Sequence, residues 1–252
     1  MTWAAGRRVI APVILGVIVL AVWELAVQLG DIKPYLLPAP SAIWKQLELA
    51  FPVLWKATLA TGANALIGLL VGAIAAIIVA LVASRLHFLD ELIAPVVAAI
   101  AVVPIVALAP ILTNMFGATS ETPRRVIVAI VVFVPIFVNT LRGLRQVLPV
   151  HTDLMRAYAA SNWQVTRTVT LPGALPFVFT GFNIASSLAV ISSIVAEYFG
   201  GLQNGLGSRI TSAAANSAYP RAWAYVFGAI VLGVVFYAAT LALEKIFSRR
   251  HA

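Results

Sequence analysis

The sequence predicts an all-α membrane protein that crosses the bilayer about six times. Three observations carry that prediction. Hydrophobic residues make up 62% of the 252 and charged residues 10%, with a mean hydropathy of +0.99; ordinary globular domains are roughly 25% charged. The apolar residues gather into runs of about 20, the length a helix needs to span the hydrocarbon core. A polar, basic interlude over 147–172 stands out in a chain that is otherwise mostly apolar spans.

The spans are expected at about 9–29, 59–82, 92–116, 126–141, 177–196 and 222–243, within a single transmembrane domain covering 1–252. Arg7 and Arg8 before the first run superficially fit a signal peptide. The run is long and has no small-x-small cleavage site, so a retained span carrying Glu24 is expected. Leu37-Pro38-Ala39-Pro40 leads into an amphipathic stretch from Ser41 to Phe51, where Ile43, Leu47 and Ala50 recur at helical spacing. Trp44 suits an interfacial anchor there. The second span holds Gly68 and Gly72, a G-x-x-x-G that lets another backbone come close. Pro95, Pro104 and Pro110 predict a kinked or broken third span. Residues 200–219 are too polar for a span, and glycines at 200, 201, 205 and 207 suggest turns.

Within the interlude, Pro149 can open a short helix, where its missing N–H is not needed. Ser161 and Gln164 have capping-box spacing, so a second short helix is expected from Asn162. Leu171-Pro172 should stop it, because the residue before a proline is pushed out of the α region. The formal charge of +8 orients the whole. With both termini cytoplasmic, Arg7, Arg8, Arg85, Arg142, Arg145, Arg156, Arg167, Lys245, Arg249 and Arg250 fall inside. Lys33, Lys45, Lys56, Arg124, Arg125, Arg209 and Arg221 fall outside. Ten against seven is a bias in the direction cytoplasmic loops carry, and it puts the interlude inside.

Several function classes are excluded. No G-x-x-x-x-G-K-[ST] occurs, so this chain does not itself cradle ATP. His87, His151 and His251 lie far apart, and there is no H-E-x-x-H or serine elbow. Zero cysteines remove disulfides and thiolate metal sites. No zinc knuckle or aromatic-interleaved basic patch points to nucleic acid. The chain is therefore expected to have no catalytic residue, cofactor or metal of its own.

The fifth span carries Thr180, Asn183, Ser186, Ser187, Ser192, Ser193 and Glu197. At about 100° per residue all but Ser192 fall on one stripe, which must face protein or water rather than lipid. Thr180, Asn183, Ser186, Ser187, Ser193 and Glu197 are thus expected to line a translocation path; interhelical hydrogen bonding is the packing alternative. Glu197 is expected to act as a gate or to pair with Arg209 or Arg221. Glu24 either pairs across helices or stays hydrated near the interface. For Asn64, Asn139 and Thr140, packing is the expectation. No Lys or Arg falls in the predicted path, which argues against a small, fully desolvated anion as cargo.

The interlude resembles the coupling loop of bacterial ATP-binding-cassette (ABC) import permeases, which runs E-A-A, three residues, G, nine residues, I, one residue, L-P. Here the spacing is kept as Asp153-Leu154-Met155, Ala159 and Val169-Thr170-Leu171-Pro172, with Asp for Glu, Leu-Met for Ala-Ala and Ala for Gly. Trp163-Gln164-Val165, Pro172-Gly173-Ala174-Leu175-Pro176 and Leu37-Pro38-Ala39-Pro40-Ser41 resemble the nitrate/sulfonate/taurine branch. The resemblance implies a type I importer permease in a bacterial inner membrane, paired with a second copy of itself. Two copies of a separate ATPase, carrying the ATP and Mg, would dock on Asp153, Arg156, Ala157, Tyr158, Ala159 and Arg167. An extracellular or periplasmic solute-binding protein would deliver the cargo, a nitrate-, sulfonate- or taurine-like solute, or a heterocycle such as a pyrimidine precursor or riboflavin. The alternative, a stand-alone secondary carrier or channel, calls for mid-membrane coupling carboxylates or two matching halves, and neither is present.

Overall fold

The computed structural model describes residues 2–248. The side chains of Arg7, Arg8, His87, Asp90 and Glu91, and all of Arg249, Arg250 and His251, lie outside the described residues. The helices in order are α1 (Thr2–Leu29), α2 (Pro40–Leu49), α3 (Phe51–Arg85), α4 (His87–Val102), α5 (Ile105–Phe116), α6 (Thr122–Arg145), α7 (Pro149–Ala157), α8 (Asn162–Val165), α9 (Leu171–Tyr198), α10 (Leu206–Ala215) and α11 (Tyr219–Ser248). Among the described residues five helical stretches are long and apolar enough to cross a membrane, and α4 with α5 makes a sixth if that bent pair counts as one span. The pair turns by 94° at Val103-Pro104. Val103 there is extended, as a residue before proline prefers, and Pro104 has no N–H to continue the ladder.

The centre of the molecule is α6, packed between α3 and α9. Helices surrounded by lipid gain little from burying apolar surface against one another, so close packing and hydrogen bonds have to hold them. The sequence supplies the small residues this needs. On α3 the buried face runs Ala65, Gly68, Gly72, Ala73, Ala76, Ala80 and Ala83. A Cβ added at Gly68 would meet the Val128 side chain at 2.5 Å, and one at Gly72 the Ala129 carbonyl oxygen at 2.5 Å. The G-x-x-x-G is therefore where α6 lies directly on α3. On α9, Gly181 meets the α6 backbone at Pro135 and Ile136 in the same way.

Several expectations about helix ends change, among them the second and fourth spans, which run Phe51–Arg85 and Thr122–Arg145 against 59–82 and 126–141. The fifth span does not begin after Pro172. Its helix is continuous from Asn162 to Tyr198, because a single π-turn at Thr166–Thr170 absorbs the proline. The Leu171 N–H reaches back five residues to the Thr166 carbonyl, and the widened turn admits a ring that would clash in regular α geometry. The polar 200–219 stretch is not turns alone: after Gly200 and Gly201, both at positive φ, it forms the partly buried α10. The sixth span is longer than expected at both ends, Tyr219–Ser248 against 222–243.

Candidate functional site

The elbow over 147–172 stands off the bundle. Pro149 sits in the first turn of α7, as expected, and α7 has no buried residue. Its end is a reversed turn in which Ala160 N–H donates to Met155 O at 3.0 Å and Ala159 N–H to Arg156 O at 2.8 Å. That pairing is a Schellman cap, which places the following residue in the left-handed region. That residue is Ala159, at φ +54°, where the family pattern has glycine. Ser161 and Gln164 form the reciprocal capping box: Ser161 N–H donates to Gln164 Oε1 at 2.7 Å, and Gln164 N–H to Ser161 Oγ at 3.4 Å.

Asp153, Arg156, Ala157, Tyr158, Ala159 and Arg167 are all exposed on this elbow. Arg156 Nη1 lies 3.4 Å from Asp153 Oδ1, with both side chains largely in solvent. Tyr158 is 78% exposed, and beside it are apolar side chains that sequence reasoning passed over: Val150, Leu154 and Trp163 are 64%, 55% and 64% exposed. The elbow is held to the bundle by Arg85 Nη2, which donates to Thr166 Oγ1 at 2.7 Å, so its position follows the end of α3.

The expected path-lining stripe is resolved differently by the structure. Ser186, Ser193 and Glu197 face inward within this one chain and are at most 1% exposed, so they do not line an open path. Ser193 Oγ donates to the Thr61 carbonyl at 3.3 Å, Thr240 Oγ1 donates to Ser186 Oγ at 3.3 Å, and Asn183 Nδ2 donates to Glu244 Oε2 at 2.7 Å. These are ties from α9 to α3 and α11, the packing alternative. Thr180 is exposed and bonds its own helix at Pro176 O, while Ser187 is half-buried beside a recess of about 290 Å³.

Glu197 pairs with neither Arg209 nor Arg221. Its carboxylate accepts from Thr61 Oγ1 at 2.9 Å and from the Gly207 N–H at 2.7 Å. Gly207 is the second residue of α10, whose N-cap, Gly205, has no side chain to offer. Glu197 thus caps α10 from a neighbouring helix, its carboxyl oxygen accepting from an otherwise unpaired amide of the first turn. Glu24 does the same for α2. It accepts from Ser41 N–H at 2.9 Å and Ser41 Oγ at 2.7 Å, where the N-cap is Ala39. The sequence marks only the need for such a cap, a short helix whose own N-cap residue has no side-chain oxygen, and not the residue that supplies it. A methyl at Gly205 would run into the Glu197 carboxylate, so this cap requires glycine there.

Next to Glu197, at the end of the bundle opposite the elbow, lies a second polar cluster. Arg124, 3% exposed, donates through Nη1 to Glu121 Oε2 at 2.9 Å and to Asn204 Oδ1 at 2.8 Å, and through Nη2 to Leu202 O. Asn204 Nδ2 and Asn64 Nδ2 donate to the two Glu121 oxygens at 2.6 and 2.7 Å. Burial pushes the Glu121 carboxyl up, but the hydrogen bonds from Asn204 and Asn64, with Arg124 beside it, outweigh burial and hold it below its ordinary value. Four segments (α3, α6, α9 and the 200–205 turn) are clamped by this cluster and Glu197 together. Sequence reasoning had read Arg124 only as a loop charge.

A bundle of apolar spans fastened at one end, with an unburied helical elbow at the other, defines a polytopic membrane protein with one surface left without a partner in its own chain. Comparison with known proteins makes the class specific. Residues 68–251 match the family described as the binding-protein-dependent transport system inner membrane component, and this chain belongs to it: it is the permease of an ABC importer. It is 30% identical over 200 residues to the riboflavin transport system permease protein RibX of Chloroflexus aurantiacus, covering 78% of this chain and 73% of that one. It is 28% identical to the formylaminopyrimidine transport permease protein ThiX of Halalkalibacterium halodurans, over 95% of both chains. The taurine transport system permease protein TauC of Escherichia coli is 27% identical over 84% of this chain and 78% of its own. The fold is shared with the inward-facing MetNI methionine ABC transporter, at TM-score 0.64 and 16% identity over 79% of this chain and 98% of that chain. The family's ATPase is a separate subunit, so the permease is not itself an enzyme, and the family implies an ATPase and a substrate-binding protein as partners.

Proposed function

We propose that this permease imports a small solute through a path between two copies of itself, driven by two copies of a separate ATPase that dock on the elbow. ATP and Mg bind on that ATPase and no cofactor on this chain. The elbow end faces the cytoplasm of a bacterial inner membrane, with both termini on that side. An extracellular or periplasmic solute-binding protein delivers cargo to the clamped end. Thr180 and Ser187 are the members of the α9 stripe left open towards a path. The cargo belongs to the range carried by relatives of this kind, from taurine-like sulfonates to heterocycles such as riboflavin or a pyrimidine precursor.

The observation that carries this reading is the elbow's surface: Asp153, Arg156 and Arg167 alternate with exposed Leu154, Tyr158 and Trp163 on a helical element with no buried residue of its own. Apolar groups left in water beside charges mark a surface made for a protein groove. ATP binding and hydrolysis then move the permease between inward and outward openings by favouring different contacts in each. The test is co-purification. Reversing the charge of Asp153 and of Arg156 should strip the ATPase from the permease while leaving the permease folded, since an exposed ion pair contributes only about 0–1 kcal/mol. Undiminished ATPase retention and uptake in that variant would remove the elbow as the coupling element.

A further inference from the structure

Helix α6 opens with two adjacent arginines that end in opposite circumstances. Arg124 is sealed in and saturated by Glu121, Asn204 and the Leu202 carbonyl. Arg125 is half-buried. Its Nε donates to Asn64 Oδ1 at 2.9 Å, and among the described residues no acid lies within ion-pair reach of it. Glu121, the acid at this end of α6, already has Arg124 at 2.9 Å. Among the described residues Arg125 therefore meets no carboxylate directly, and its link to Glu121 runs through Asn64.

Arg125 lines a recess of about 600 Å³ between α3, α4 and α6. Its walls include Ile67 and Val71 of α3, Ile100 of α4, and Ile130 and Phe133 of α6; Thr122 adds a hydroxyl near the start of α6. A cation facing such walls is costly unless water or an anion meets it. The volume is in the range of small-molecule sites. A guanidinium pairs with a carboxylate or sulfonate through two parallel hydrogen bonds, a geometry an ammonium does not offer. The head is also held in place before any ligand arrives, because Asn64 grips its Nε and Glu121 in turn holds Asn64 at 2.7 Å.

We propose that this recess is a solute site for a small organic anion, an acidic head on an apolar body, with Arg125 reading the charge. The proposal rests on the reading of the chain as a solute importer. It reverses the expectation that no cation meets the cargo: the cation is on the fourth span, α6, and the polar stripe of α9 is not where charge is recognised.

The test uses the permease with its co-expressed ATPase in nanodiscs of zwitterionic phosphatidylcholine, titrated calorimetrically with benzenesulfonate and with methyl phenyl sulfone, a neutral molecule of similar shape. The anion should bind at least tenfold more tightly than the sulfone. Arg125→Gln should abolish that preference and Arg125→Lys keep part of it. Phe133→Trp, which narrows the recess without touching the charge, should weaken both probes. Equal binding of the two probes to the wild type, or an anion preference that survives Arg125→Gln, overturns the assignment. So does displacement of benzenesulfonate when phosphatidylglycerol is added to the discs, which makes the recess a lipid-headgroup site. ATPase retention is read in the same samples. Its loss from the wild type counts against the importer reading, whereas its persistence without an anion preference counts against this site alone.

Discussion

The two ends of this bundle treat polar groups in opposite ways. At the clamped end, Arg124, Glu121, Asn64, Asn204, Thr61 and Glu197 turn inward and answer one another across four segments. At the elbow, Asp153, Arg156 and Arg167 turn outward, and the Asp153–Arg156 contact at 3.4 Å stays within one helix. The clamped end spends its hydrogen bonds on its own fold; the elbow leaves its charges and its apolar side chains for another protein. The difference predicts that substitutions at the first end act on stability and those at the second on partnership.

The largest effect is expected at Arg124. Its replacement by leucine leaves Glu121 partly buried without its cation and strands the Leu202 carbonyl and Asn204 Oδ1. Removing one partner of a buried pair typically costs about 3–5 kcal/mol, more than removing the pair together. Thermal unfolding in detergent should show that loss for Arg124→Leu, with Glu121→Gln added to Arg124→Leu recovering part of it. A variant as stable as the wild type would mean that the clamp does not hold this end together.

Acid should act on the same cluster. Glu121 is held below the ordinary carboxylate value, so folding favours its ionised form. The sign follows from linkage: the contribution is complete above the unfolded-chain value of 4.5, and it is lost as pH falls through the lower folded value. Hydrogen exchange in the 200–205 turn should therefore speed up as pH is taken below that range, once intrinsic rates are removed. Glu121→Gln should make this exchange fast at neutral pH and insensitive to acid.

What could be read from the sequence divides along similar lines. The spans were legible because membrane thickness imposes their length and composition, and the break at Pro104 because a proline removes a donor wherever it stands. The capping box at Ser161 and Gln164 was legible because both partners lie within one turn. Glu197 and Glu24 were not, because the amides they cap are 10 and 17 residues away, on other helices. Periodicity placed Ser186, Ser193 and Glu197 on one face of a helix correctly, but it carries no information on what that face meets. Here it meets Thr61, Thr240 and α10, not an open path. The run-on of α8 into α9 was hidden for another reason: proline rules assume α geometry, and the chain avoids the clash with one turn of a wider helix.

The smallest and sharpest effect is expected at Ala159. The elbow turns through a residue at φ +54°, and an alanine there costs about 1 kcal/mol relative to glycine, because its Cβ crowds the neighbouring carbonyl. The two hydrogen bonds that close the turn, from Ala159 and Ala160 back to Arg156 and Met155, hold the chain against that cost. Ala159→Gly relieves it, and both amides should exchange about fivefold more slowly if the turn opens locally and the gain of about 1 kcal/mol stays within it. Glycine also loosens the unfolded chain, so the global unfolding temperature should move by less than the local exchange does. Ala159→Val tests the same point from the other side, since a β-branched residue is a poorer occupant of this region than alanine. It should weaken ATPase retention with Asp153 and Arg156 untouched, through the shape of the elbow alone. If Ala159→Gly leaves exchange at Ala159 and Ala160 unchanged, the turn is not strained; if Ala159→Val retains the ATPase fully, the partner reads charge and not the bend.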